Sequence, residues 1–204
     1  DLKWLRQSGM EAAILKHASN GTVIFGICGG YQMLGKNISD PYGVEEGGDF
    51  PGLGLLDIKT SFIEHKRTIQ MEGRFGDVKG IFSELSGMPL HGYEIHSGVT
   101  TFDERNAITC ISPIHEAGEE FAEGNQNITY KMNVYGTYVH GVFDGDGIAA
   151  KIVEALLAKK GLHMEDVKTI NFADYKRQQY DILADAVRKN IDMQKVYEFL
   201  EAGV

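Results

Sequence analysis

The run Val23-Ile24-Phe25-Gly26-Ile27 leads without a break into Cys28-Gly29-Gly30, and Tyr31-Gln32-Met33-Leu34 continues from there with no helix breaker. An apolar, β-branched run of this length fits a short strand buried on both faces, as in a parallel sheet. The residues after the glycines read as the start of a helix. A strand that turns into a helix across one residue between glycines leaves that residue strained and exposed at the carboxyl edge of the sheet. Side chains at the flanking positions would collide with the strand and the helix. The same turn can aim the Gly29 N–H at a developing oxyanion, and the start of a helix favours thiolate over thiol at Cys28.

The rest of the chain supports an α/β reading. Asp1 can cap a first helix carrying Leu2, Leu5, Ala13 and Ile14, which Ser8-Gly9 splits and Asn20-Gly21 ends. Residues 37–54 are rich in Gly, Asp and Pro and are expected to be loop. Leu53 to Phe62, Ile69 to Phe75, Gly92 to Ile95, Ala107 to Ile111 and Asn133 to His140 read as strands. Apolar stripes over Ile148 to Leu157, Tyr175 to Val187 and Asp192 to Leu200 read as helices. Strands alternating with helices predict a three-layer α/β sandwich with a mixed, mostly parallel sheet, in one domain over residues 1–204.

Charge and cysteine usage exclude several classes of function. A net charge of −9 with no basic stripe argues against nucleic-acid binding. There is no apolar run long enough to span a membrane and no signal-peptide pattern, so the expected compartment is the cytoplasm. The 2 cysteines do not make a disulfide framework, which directs attention to each thiol by itself. Cys110, in Thr109-Cys110-Ile111, has nothing electropositive or glycine-rich around it and reads as a buried structural residue. Cys28 reads as a nucleophile.

A thiol nucleophile needs a base within reach. His140 is the best of the 7 histidines, because it ends an apolar strand and precedes Gly141, at the sheet edge where open α/β folds place their sites. His17, His65, His115 and His163 fall on a helix surface, in polar loops or after a helix end. His91 and His96 lie in a segment dense in polar and aromatic residues, where strand alternation puts Glu94 and His96 on one face. No pair of histidines or cysteines has zinc-site spacing, so no metal is expected.

Four segments, Gly26-Ile-Cys-Gly-Gly-Tyr-Gln-Met-Leu-Gly35, Gly52-Leu-Gly-Leu-Leu56, Gly92-Tyr-Glu-Ile-His-Ser-Gly98 and Gly136-Thr-Tyr-Val-His-Gly-Val-Phe-Asp144, follow one another along the chain. In this order they resemble class I glutamine amidotransferases of the cobyric acid synthase type. The tail around Tyr180 to Arg188 and Asn190 to Asp192 is similar to that branch rather than to the cobyrinic acid a,c-diamide synthases or the cell-wall lipid amidotransferase subunits. The resemblance implies that Cys28 forms a glutamyl thioester, Gly29 donates to the oxyanion, His140 is the base, and Gln32, His96 and Ser97 line the L-glutamine pocket.

One departure stands out. Many class I enzymes have His-Pro-Glu at the base, with the glutamate orienting the imidazole; here the residues are His140-Gly141-Val142. Glu94 or a backbone carbonyl is the expected substitute. The sequence begins at Asp1 with a helical pattern, so it reads as a fragment of a longer polypeptide. The resemblance implies an N-terminal synthetase domain in that polypeptide, which would use ATP and Mg and bind a corrinoid acceptor. No Gly-Lys-Ser/Thr phosphate loop occurs in these 204 residues, so no cofactor is expected in this domain. Two other readings stay open on sequence: a cysteine peptidase or γ-glutamyl hydrolase on the same sheet, and a non-catalytic regulatory domain.

Overall fold

A computed structural model describes residues 1–102, 111–113, 128–163 and 172–203. The chain forms two compact units, Asp1–Met164 and Glu165–Val204. The first carries the site.

That unit opens with α1 (Leu2–Gln7) and α2 (Met10–Ser19), separated at Ser8-Gly9 as expected, with Gly9 in the left-handed region at φ 77°. β1 (Ile24–Ile27) follows and runs through Cys28 into α3 (Gly29–Leu34). The segment expected to be loop instead holds two short antiparallel strands, β2 (Asn37–Asp40) and β3 (Gly48–Pro51). The polar turn between them is organised by one carboxylate: Asp40 accepts the backbone N–H groups of Val44, Glu45 and Gly47, each at 2.9 Å. A Gly- and Asp-rich composition marks the turn but not the short strands it joins.

β4 (Ile58–Phe75) merges the two strands expected on either side of Lys66-Arg67, because a bulge between Phe62 and Arg67 absorbs the irregularity without ending the ladder. A 3₁₀ segment (Gly80–Leu85) leads to β5 (Pro89–Phe102), longer than the four residues expected. β6 (Ile111–Pro113), β7 (Ile128–Lys131), β8 (Val134–Thr137) and α4 (Ile148–Lys159) complete the unit. The strand expected over Ala107 to Ile111 lies outside the described residues except at Ile111, and so do Cys110 and His115.

Two mixed sheets result, in the orders β1-β8-β7 and β3-β2-β4-β5, with β6 also on β4. The α/β character is as expected, but the pairing is not mostly parallel. Among the described residues only β1–β8 and β2–β4 are parallel, while β2–β3, β4–β5, β4–β6 and β7–β8 are antiparallel. The reason is connectivity: β4 and β5 are long and locally joined, which favours antiparallel pairing, whereas a parallel pair needs a crossover.

β1 and β8 are covered on both faces. Ile24, Val134 and Tyr138 pack with Ala18 of α2, Tyr31 and Leu34 of α3, Leu56 and Ile58. Phe25, Ile27, Tyr135 and Val139 point the other way, into Met71, Phe75, Phe82, Leu85, Leu90, Val142 and Ile148. Strand alternation thus divides one sheet between two cores, each fully buried large side chain contributing about 1.5–3 kcal/mol. The sheets meet at one further point, an antiparallel bridge between Tyr93 of β5 and His140 just past β8.

The second unit contains α5 (Phe172–Asn190) and α6 (Met193–Ala202), matching the two helical stripes expected there. Asp192 caps α6 through a bond from the Lys195 backbone N–H to its carboxylate at 3.3 Å. No described helix is long and apolar enough to cross a membrane.

Candidate active site

β1 and β8 are adjacent and parallel, with Ile27 paired to Thr137, and the Cys28 N–H continues the ladder to the Thr137 carbonyl at 2.8 Å. Cys28 therefore leaves the carboxyl end of one strand, and His140 leaves the same end of its neighbour. Cys28 has φ 51° and ψ −112°, a conformation side chains rarely adopt. The strain is enforced on both sides. A Cβ at Gly26 would lie 2.6 Å from Leu34 Cδ1 and 2.9 Å from the Gly30 carbonyl atoms, so the helix can turn this sharply only over glycine.

The Cys28 thiol donates to the Ile95 carbonyl of β5 at 3.7 Å. Burial pushes it above its ordinary value of 9.0, the Gly29 N–H opposes that shift, the Glu94 carboxylate adds to it and the Lys66 ammonium opposes it. The expectation that the helix start alone favours thiolate is thus incomplete: half-buried and beside a carboxylate, the sulfur rests as a thiol. The Gly29 N–H is directed at the sulfur.

A pocket of about 360 Å³ opens over Cys28. Gly29, Gln32, His96 and Ser97 all line it, together with Lys66, Glu45 and Glu46. Gln32 is buried and donates its amide to the Tyr138 hydroxyl at 3.3 Å. His96 is held by its Nδ1 against the Gly98 carbonyl at 2.8 Å and stacks on Tyr138 with ring centroids 3.7 Å apart. Tyr138 in turn bonds Thr100, which bonds Thr60. The pocket wall is therefore a hydrogen-bonded block spanning α3, β4, β5 and β8.

Glu94 does not take the role expected of it beside His140. Its Oε2 accepts from Arg67 Nε at 3.1 Å and lies 3.4 Å from His96 Nε2. Strand alternation explains the outcome: Glu94 shares a face with His96, while Tyr93 on the opposite face meets His140. Glu94 is 1% exposed, and its Oε1 and the His140 Nε2 are both buried without a hydrogen-bond partner. The imidazole is held by packing, stacked on the Tyr93 ring at 4.8 Å between centroids and 6° between planes. No thiol–imidazole hydrogen bond joins Cys28 to His140: the thiol donates to the Ile95 carbonyl and the His140 Nε2 has no partner.

Among the described residues, His17, His65, His91 and His163 do not line this pocket. His17 is exposed on α2. His65 lies in the bulge of β4, His163 follows α4, and His91 faces Glu72 at 4.0 Å on the surface. Among the described residues no group of three or more His, Cys, Asp or Glu side chains is placed to hold a metal ion. Arg67, Tyr93 and Tyr138 were not singled out on sequence. Arg67 reaches Glu94 because it pairs with His96 in the β4–β5 register, and such cross-strand relations leave no local signal.

A family model for the CobB/CobQ-like glutamine amidotransferase domain matches residues 1–148. A cobyric acid synthase of Ruminiclostridium cellulolyticum is 48% identical over 206 residues, covering 100% of this chain and 39% of that protein. The cobyric acid synthase of Lachnoclostridium phytofermentans is 48% identical over 211 residues, covering 100% of this chain and 40% of that protein. The chain thus spans about two fifths of the length of these relatives. In fold, it is similar to a glutamine amidotransferase crystal structure with a TM-score of 0.51 and 19% identity, over 74% of this chain and 69% of that one. The chain belongs to the CobB/CobQ-like glutamine amidotransferase domain family.

Proposed function

We propose that this chain is the glutaminase part of a cobyric acid synthase, with Cys28 as nucleophile and His140 as base. The observation that carries the reading is the strained Cys28 at the carboxyl end of β1, over the pocket lined by Gln32, His96 and Ser97 and one strand away from His140.

In the reaction, the Cys28 thiol turns from the Ile95 carbonyl, His140 takes its proton, and the sulfur attacks the side-chain amide carbon of L-glutamine. The Gly29 N–H receives the oxyanion. The tetrahedral intermediate collapses by breaking its C–N bond as His140 returns the proton to the leaving nitrogen, releasing ammonia and leaving a γ-glutamyl thioester. His140 then deprotonates a water that attacks the thioester, and glutamate leaves as the Cys28 sulfur recovers the proton. Lys66 lines the same pocket and supplies a cation for an amino-acid carboxylate. A pocket of about 360 Å³, with Gln32 and His96 in its wall, has room for one amino acid, which favours glutaminase over peptidase.

The relatives' additional length is where the ammonia would be consumed. The reading assigns to it an ATP- and Mg-dependent synthetase domain in the same cytoplasmic polypeptide, amidating carboxylates of adenosylcobyrinic acid a,c-diamide. The test compares ammonia sources in the full-length protein. Cys28→Ala is expected to abolish amidation with glutamine and to leave amidation with free ammonia intact; equal loss with both sources in a folded protein would refute the division of labour.

A further inference from the structure

We propose that Tyr93 is the positioning residue for His140, its ring doing the orienting that a carboxylate does where the base is part of a triad. The proposal rests on His140 acting as the base. Val142 cannot accept a hydrogen bond, Glu94 is committed to Arg67 and His96, and the His140 Nε2 is buried without a partner. A flat aromatic face is what remains to fix the plane of the imidazole.

The geometry is built for that contact. Tyr93 and His140 exchange backbone hydrogen bonds in both directions, at 3.2 Å and 2.8 Å, so the two Cα atoms cannot drift apart. That approach depends on Gly92, where a Cβ would run into the His140 carbonyl oxygen and Val139 Cγ1. With the backbones locked, the Tyr93 ring lies parallel to the imidazole within 6°. Core packing does not account for the ring, since Tyr93 is 48% exposed. Two residues further along the same strand, the Ile95 carbonyl takes the Cys28 thiol. One stretch of β5 thus touches the base through Tyr93 and the nucleophile through Ile95, and fixes their separation.

Tyr93 does not line the pocket over Cys28, so removing it should slow the chemistry rather than weaken glutamine binding. In the full-length protein, Tyr93→Ala is expected to lower kcat for glutamine hydrolysis about tenfold to a hundredfold, the cost of a misaligned base, with KM little changed. Tyr93→Phe keeps the ring and should restore kcat. A structural readout needs no activity: imidazole NMR or a crystal structure of Tyr93→Ala should show the His140 ring in more than one orientation. Should that variant not fold, Tyr93→Leu, which keeps apolar bulk without a flat face, is expected to show the same ring disorder and kcat loss. Wild-type kcat, a single unchanged ring orientation, or a Tyr93→Phe variant as slow as Tyr93→Ala would overturn the proposal. Hydrolysis that survives His140→Ala would instead overturn the base assignment, and the ring-orientation readout would still judge Tyr93.

Discussion

Cys28 brings together two costs that a structural cysteine would avoid. Its backbone sits in a region that costs about 1–3 kcal/mol for a residue with a side chain, and its thiol is pushed up by burial and by Glu94. The Gly29 N–H and Lys66 pull in the other direction without cancelling the shift. The consequence for pH has a definite sign. Because the folded state holds the thiol proton more tightly than an unfolded chain, the associated stability is present below the ordinary value of 9.0 and is lost as pH rises through the higher folded value. Reactivity follows the same titration: alkylation of Cys28 by iodoacetamide should still be climbing as pH passes 9.0, and Lys66→Met should slow it further at any given pH. A rate already on its plateau near neutral pH would show that the thiolate is far better stabilised than this environment allows.

At the level of elements, the β1–α3 turn is the part least able to tolerate change. Gly26→Ala places a methyl group against Leu34 Cδ1 and the Gly30 backbone, and backbone cannot swing aside as a side chain can. The expected cost is about 1–3 kcal/mol, read as a lower denaturation midpoint, with slower labelling of Cys28 by a glutamine-like diazoketone as the turn opens. Unchanged stability and labelling would mean that the turn is looser than the contacts indicate. This turn was legible in the sequence because it is local: an apolar run, a glycine pair and a helical pattern lie within a dozen residues of one another. The split of α1 from α2 and the last two helices were legible for the same reason. What escaped depends on pairing between distant segments. β2 and β3 exist because each finds a partner, β2 also pairing with β4, and the direction of pairing depends on connections that composition does not encode. At the site, Cys28 and His140 could be read from strand ends, and the shared face of Glu94 and His96 from alternation. That Glu94 would turn to Arg67, leaving Tyr93 against His140, depends on the β4–β5 register and on a bridge between sheets.

Within the first unit, polar contacts cross between the two sheets, and Asp57 makes two of them with one carboxylate. It lies just before β4, and its oxygens accept from Lys36, just before β2, and from Lys131, at the end of β7, each at 2.8 Å. Lys36 belongs to the edge of one sheet and Lys131 to the other, so the group acts as a tie between them. Hydrogen bonds from Lys131 and then Lys36 outweigh the opposing effect of burial and hold the Asp57 carboxyl at about 2, below its usual 3.8. A depressed folded value means that the stabilisation is fully present above 3.8 and is lost as pH falls toward 2. Both ammonium groups are more than 40% exposed, so solvent screening reduces the contribution to about 1 kcal/mol rather than the larger figure the shift alone implies. Asp57→Asn should therefore lower Tm at neutral pH by about 2–4 °C for a unit of this size. The gap between variant and wild type should be largest above pH 4, should narrow below it as the wild-type carboxyl protonates, and should shrink in high salt. A gap that stayed constant down to pH 2 would show that Asp57 stabilises the unit by packing rather than by charge.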